Sequence, residues 1–271
     1  MENTTLQRRP FDIFKKGHKI FVEGHRGVNR EYYQNSMKSF CQAIKYGLDS
    51  LELDIWLTKD KIPVILHGGK EGQLYDHIEG VDKNLIVNNL TLAELLKYKL
   101  KGKDDQTVPT FEEVLNLCKD KIFINVEIKD PNTTETFREV IKLIEEKKMI
   151  NQIAISSFHH EYYDLIKKYN DTHGEKIEFG LLYYNSNKEY FRPYKFNINE
   201  SSMNIYQKDV TWEIVDKAHR NNIAVLVWFL MEDEENNELY KKLFDCGIDI
   251  ICCNEPLKAK EFRDNIYSKS K

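Results

Sequence analysis

The chain has 271 residues and carries 40 Lys and Arg against 44 Asp and Glu, a net charge of −4. Apolar residues make up 41 % and aromatics 12 %, which supplies a core and excludes a disordered chain. The longest apolar run, Ile223 to Met231, has nine residues; a spanning helix needs ~20, so no integral membrane segment is expected. The absence of a broad basic field argues against nucleic acid or an anionic membrane as partner.

Five cysteines, Cys41, Cys118, Cys246, Cys252 and Cys253, form no CxxC pair. Their odd number fits buried thiols in a reducing compartment better than a disulfide framework or a zinc site. The first ~17 residues read as an extension with no apolar signal core, and a cytoplasmic location follows. No Pro-, Gly- or Ser-rich linker divides the chain, so residues 1–271 read as a single domain.

In chain order, His18 to Glu23 reads as a short strand closed by Gly24 and Gly27. Ser36 to Tyr46 has apolar positions at helical spacing, and Gly47 ends it. Ser50 to Leu57 alternates, with Leu51, Leu53, Ile55 and Leu57 on one face and Glu52, Asp54 and Trp56 on the other. That period of two is a strand. Ile62 to Leu66 is another short apolar run, and Gly68 to Asn89 reads as a long loop or small insertion. Thr91 with Glu94, and Thr110 with Glu113, are capping boxes that open helices to Tyr98 and Cys118.

Strand Ile122–Ile128, helix Thr134–Lys147, strand Gln152–Ser156, helix His159–Tyr169 and strand Ile177–Tyr183 follow. Residues 185–200 are aromatic and polar without a clean period, and would be placed to cover a pocket. Ser202–Tyr206, Ile223–Phe229 and Ile248–Cys253 read as strands, with Thr211–Asn221 and Glu234–Phe244 as helices and Pro256 opening a last one. About eight strands alternating with helices imply parallel βαβ units closed into an α/β (β/α)8 TIM barrel, with a small insertion after the second strand. An open doubly wound sheet would want a GxGxxG after the first strand, and none is present.

Barrel chemistry gathers at the C-terminal strand ends. Glu52 and Asp54 are two residues apart, so both face the barrel mouth, and Glu127 adds a third carboxylate. Three like charges in a mouth become acceptable around a cation, and oxygen ligands suit Mg2+ or Ca2+. His25 and His67 lie just past strand ends and can serve as general base and acid. Arg26 and Lys129 suit the oxygens of a phosphate diester. Trp228 is either core packing or an aromatic wall over a substrate. His77, His159, His160, His173 and His219 fall in loops or on helix surfaces and are assigned no role.

At these residues the chain resembles the glycerophosphodiester phosphodiesterase family. The resembling stretches are His25-Arg26-Gly27; Glu52-Leu53-Asp54; Thr58-Lys59-Asp60; Pro63-Val64 with His67; Val108-Pro109-Thr110-Phe111; Asn125-Val126-Glu127-Ile128-Lys129; Ser157-Phe158; and Trp228. The resemblance implies a divalent cation on Glu52, Asp54 and Glu127, an acid–base pair of His25 and His67, and Arg26 and Lys129 on the phosphate. The implied reaction releases an alcohol and glycerol 3-phosphate from a small glycerophosphodiester, a step of lipid metabolism, with the glycerol hydroxyl attacking first to give a cyclic phosphate.

Three departures stand out: Gln34-Asn35-Ser36 for Glu-Asn-Thr, His67-Gly68 for His-Asp, and Cys253-Asn254-Glu255-Pro256 for Thr-Asp-x-Pro. Two alternatives are a phospholipase D-like barrel acting on lysophospholipids or sphingomyelin, and a barrel that binds without turnover.

Overall fold

The structure is a computed structural model that describes residues 19–102, 105–184 and 201–269. The expected N-terminal extension and the stretch 185–200 lie outside the described residues. The elements run β1 (Phe21–Gly24), α1 (Met37–Lys45), β2 (Ser50–Leu57), β3 (Pro63–Ile65), α2 (Leu92–Leu95), α3 (Phe111–Cys118), β4 (Phe123–Ile128) and α4 (Thr133–Glu146). They continue with β5 (Ile153–Ser157), α5 (Tyr162–Thr172), β6 (Glu178–Tyr183), β7 (Ser201–Tyr206), α6 (Trp212–Arg220), β8 (Ala224–Trp228), α7 (Asn237–Asp245), β9 (Ile250–Cys253) and α8 (Pro256–Lys269).

Neighbouring strands follow the order β1-β9-β8-β7-β6-β5-β4-β2, and β1 pairs β2 in turn, so the eight parallel strands close into the expected barrel. The short run Pro63–Ile65 is not a barrel strand. It folds back antiparallel on the end of β2, pairing Ile55 with Ile65 and Leu57 with Pro63.

Alternation along each strand separates two cores. Leu51, Leu53, Ile55, Ile124 and Val126 face outward and pack with the helices. Ala154, Ala224, Leu226, Ile250 and Cys252 fill the barrel interior with Phe21 below. A third cluster belongs to the segment between β2 and α3, where Val64, Leu74, Ile78, Val87 and Leu95 gather around Trp56. The expected insertion therefore carries a core of its own.

Local chemistry explains the helix ends. Ser36 accepts from the Ser39 N–H at the start of α1. Thr91 and Thr110 form full capping boxes with Glu94 and Glu113. Two helices begin later than their periodicity suggests. α5 starts at Tyr162 rather than His159, and α7 starts at Asn237 behind an Asn236 cap rather than at Glu234. In the second case Glu235 is drawn away to bind the Asn254 and Glu255 N–H groups.

Candidate active site

The loop after β1 is pinned on both sides. His25 N–H donates to the Cys253 carbonyl at 3.1 Å, one step beyond the β1–β9 ladder. Arg26 then takes a left-handed φ of 54° and Gly27 one of 83°. Ser39 of α1 holds this turn, donating to the Arg26 carbonyl at 3.0 Å and accepting from Val28 N–H at 2.7 Å. A Cβ on Gly27 would fall on the Ser39 hydroxyl. The left-handed backbone at Arg26 is the strained point of the loop, and it aims the guanidinium across the barrel mouth.

The parallel register of β2 and β4 sets Asp54 beside Glu127 and Glu52 beside Asn125. Glu52, Asp54 and Glu127 are buried, and each offers a carboxylate oxygen within 4.8 Å of the others. Asp54 is the best compensated. Arg26 Nε lies 3.1 Å away, Lys129 Nζ 3.4 Å, and Asn35 donates to it at 2.7 Å. Burial alone would raise Asp54, but Arg26 and then Lys129 outweigh it and hold the carboxyl well below the usual range. Glu127 contacts Lys129 at 2.7 Å. Burial still leaves it raised, while Glu127 and Asp54 together overcome burial at Lys129 and raise the ammonium.

Glu52 has only the Arg26 backbone N–H, at 2.8 Å on Oε2; its Oε1 has no hydrogen-bond partner among the described residues. Burial, then Asp54, then Glu127 push it well up. An unpartnered oxygen facing two further buried carboxylates is a donor set suited to a hard divalent cation.

Both predicted histidines reach the same cavity of about 420 Å³. His67 arrives on the β2–β3 hairpin: Leu66 N–H donates to the Asp54 carbonyl at 3.1 Å, and Trp56 Nε1 donates to the His67 carbonyl at 3.0 Å. Burial, helped by Arg26, lowers His25 to about 3. Burial followed by Lys129 and Arg26 carries His67 well below its ordinary value. Burial and the positive neighbours thus disfavour the imidazolium form of both rings.

The opposite wall is apolar. Trp228 is half-buried, with Phe158 edge-on at 5.8 Å and Tyr184 at 5.7 Å, alongside Leu182, Leu230 and Met231. Its indole Nε1 is buried without a partner among the described residues. Trp228 is thus part of the cavity wall rather than of the barrel core alone.

The structure also places residues that the sequence reading left out. His77 is not on a surface: it is buried in the cavity wall, 6.1 Å from the His67 ring, with Tyr33 OH 3.3 Å from Nδ1. Burial and then Arg26 lower it to about 4. No local pattern marks it, because the insertion buries it through tertiary contacts. Asn35, at a left-handed φ of 53°, supplies Asp54 with its amide donor; its signal was an Asn just before a helix cap, where that conformation is tolerated. Glu23 lies below the triad, accepting from Ser50 at 2.9 Å and Asn125 at 3.0 Å.

All three departures noted in the sequence fall on this site. Gln34 accepts from Arg26 Nη1. Gly68 has φ 59°, and a Cβ there would come within 3.0 Å of Trp56 and Gly72. Asn254 Oδ1 lies 2.8 Å from His25 Nδ1.

The sequence model of the glycerophosphoryl diester phosphodiesterase family matches residues 25–258. A glycerophosphodiester phosphodiesterase from Caldanaerobacter subterraneus subsp. tengcongensis is 27 % identical, over 88 % of this chain and 95 % of its own. A human protein named lysophospholipase D GDPD1 is 26 % identical, over 89 % of this chain and 85 % of its own. Among solved structures, an Oleispira antarctica phosphodiesterase in complex with the product sn-glycerol-3-phosphate superposes with a TM-score of 0.74 at 20 % identity, covering 92 % of this chain and 99 % of its own. The glycerophosphodiester phosphodiesterase from Thermotoga maritima gives 0.66 at 24 % identity, covering 94 % and 99 %. With the barrel, the conjunction of motifs and a family match across nearly the whole chain, this protein belongs to the glycerophosphoryl diester phosphodiesterase family of enzymes.

Proposed function

We propose that the chain hydrolyses small glycerophosphodiesters to an alcohol and glycerol 3-phosphate. Glu52, Asp54 and Glu127 would hold a divalent cation, Mg2+ or Ca2+. The observation that carries this reading is the convergence of three buried carboxylates, two imidazoles, Arg26 and Lys129 on one cavity. When bound, the cation would neutralise charge on the nonbridging phosphate oxygens.

The chain's own residues account for the rest. Arg26 and Lys129 bring positive charge to the phosphate from the β1 and β4 ends. One of His25 and His67 takes the proton of the attacking hydroxyl, and the other protonates the leaving oxygen. Burial and, after it, their positive neighbours disfavour protonation of both rings, and an anionic diester would offset that repulsion and let one ring take up a proton. Attack by the neighbouring glycerol hydroxyl would expel the alcohol and leave a cyclic phosphate. Water would then add at phosphorus and break one ring P–O bond to give glycerol 3-phosphate, with the two histidines exchanging roles. Trp228, Phe158 and Tyr184 exclude water from one flank.

The test is release of glycerol 3-phosphate from glycerophosphocholine by EDTA-stripped protein, with Mg2+, Ca2+ or neither restored. Cation-dependent release is expected, and Ala at His25 or His67 should lower it by about 10²–10⁴-fold with the fold retained. Full activity in His25→Ala protein would remove the acid–base assignment. A cyclic product trapped early in the time course would support the intramolecular route.

A second reading follows from the apolar half of the cavity, which offers Leu182, Leu230 and Met231 besides the aromatic wall. Lysophosphatidylcholine turned over faster than glycerophosphocholine would favour it, whereas cation binding without turnover of either would leave a binding barrel. The five cysteine side chains are free thiols, which suits a cytoplasmic setting. No helix of the described residues is long and apolar enough to cross a membrane.

A further inference from the structure

Asn254 directly follows β9 and is completely buried. Its backbone N–H donates to Glu235 Oε1 at 2.7 Å, and Glu235 is itself held by the Tyr240 hydroxyl at 2.8 Å. The main chain at this point is therefore fixed independently of the side chain.

The orientation of the side-chain amide follows from its surroundings. Asn254 Nδ2 faces the Leu230 carbonyl at 2.8 Å, and a carbonyl oxygen can only accept. The NH2 group must lie there, which turns Oδ1 toward His25 Nδ1 at 2.8 Å and Asn29 Nδ2 at 2.9 Å. The Asn29 amide is oriented in the same manner, because its Nδ2 also donates to the His25 carbonyl at 2.8 Å. Flipping Asn254 would oppose two oxygens at Leu230 and two NH2 groups at Asn29. Oδ1 is an acceptor only, so the His25 nitrogen facing it must carry a proton.

We propose that Asn254 is a positioning residue that fixes His25 in the tautomer protonated at Nδ1, leaving Nε2 as the ring nitrogen whose lone pair serves the cavity. Asn29 and Leu230 make the lock by fixing which end of the Asn254 amide faces the ring. A neutral amide suits this place better than a carboxylate. Asp would set a charged oxygen against the Leu230 carbonyl, and would add a negative charge favouring imidazolium. The kinetic consequence rests on the proposed role of His25, but the tautomer does not.

The test is nitrogen-15 NMR of histidine-labelled, cation-free protein, with His25 assigned from the signals lost in His25→Gln. Wild-type protein is expected to show a bonded proton on Nδ1 and an unprotonated Nε2. Asn254→Leu, similar in size but without an acceptor, should show both tautomers or chiefly Nε2–H. Asn254→Asp should keep Nδ1–H, because the carboxylate still accepts. In the diester assay Asn254→Leu should lower kcat by about 10²-fold while KM moves less than about 3-fold.

Nε2–H as the main wild-type form would overturn the proposal, and so would an unchanged His25 pattern in folded Asn254→Leu. If Asn254→Leu does not fold, the wild-type and Asn254→Asp spectra decide, loss of Nδ1–H in the latter counting against the lock. If no diester is hydrolysed, the reaction assignment falls while the spectrum still reads the tautomer.

Discussion

Neutralising Glu52 should stabilise the cation-free protein. At an effective dielectric constant of about 20, two unit charges 4.8 Å apart repel by about 3.5 kcal/mol, and all three carboxylates offer atoms within that distance. Asp54 has the Arg26 guanidinium at 3.1 Å and Glu127 has the Lys129 ammonium at 2.7 Å. Among the described residues, Glu52 has a single backbone N–H and an unpartnered oxygen.

A glutamine at this position keeps one oxygen for the Arg26 N–H and turns an NH2 toward its acidic neighbours. We expect Glu52→Gln to gain about 1–2 kcal/mol in EDTA, a fraction of the bare Coulomb figure because Arg26 and Lys129 already offset part of the repulsion. At roughly 2–4 °C per kcal/mol for a domain of this size, Tm should rise by several degrees.

Wild-type protein should gain about 2.7 kcal/mol when Mg2+ or Ca2+ is supplied at about 100 times its Kd, and the variant much less. Thermal unfolding followed by circular dichroism, with and without cation, gives all four values. A Glu52→Gln protein that is less stable than wild type in EDTA, or that gains as much from the cation, would refute the reasoning.

Gly27→Ala should cost about 2–4 kcal/mol and lower turnover, since φ is 83° and the new methyl meets Ser39; urea unfolding and the diester assay check it. Trp228→Ala should raise KM by about 10-fold with kcat changed less than about 3-fold, if the indole binds substrate without entering the acid–base steps. His219 donates to Asp249 at 2.8 Å, a hydrogen bond that raises the imidazole above 6.5. A raised folded value means that the bond's stabilisation is fully present below pH 6.5 and fades as pH climbs through the folded value. His219 is half-exposed, so screening leaves a few tenths of a kcal/mol. The Tm gap between wild type and His219→Gln should therefore be wider at about pH 5.5 than at about pH 9.

The barrel was legible because its signals are local. Alternation in Ser50–Leu57 separated Glu52 and Asp54 from Leu51 and Leu53, and the structure keeps that division. The capping boxes at Thr91 and Thr110 formed as spelled. Local patterns do not disclose what depends on the fold. Ile62 to Leu66 read only as a short apolar run, and the antiparallel pairing of Pro63–Ile65 with β2 makes it the hairpin that delivers His67. The insertion core around Trp56 is assembled from short pieces that have no period of their own. His77 looked like a loop residue because its burial comes from contacts with Tyr33 and the cavity wall. Asn254 was visible only as a departure from a pattern; its meaning lay in a contact 229 residues away in the chain.

That last separation bears on how the protein is made. Closing the barrel joins β1 to β9, and Arg263 of α8 clasps the ends by donating to the Ile20 carbonyl at 2.9 Å and binding Asp49. Domains fold during synthesis as their segments emerge, and pairings this distant must wait for the last of them. A growing chain on the ribosome thus holds both imidazoles and all three carboxylates well before it holds Asn254. Until β9 is made, one edge of β1 has no partner strand, and an unpaired edge is open to pairing with another chain. The segment that covers this edge is the same one that brings Asn254 to His25.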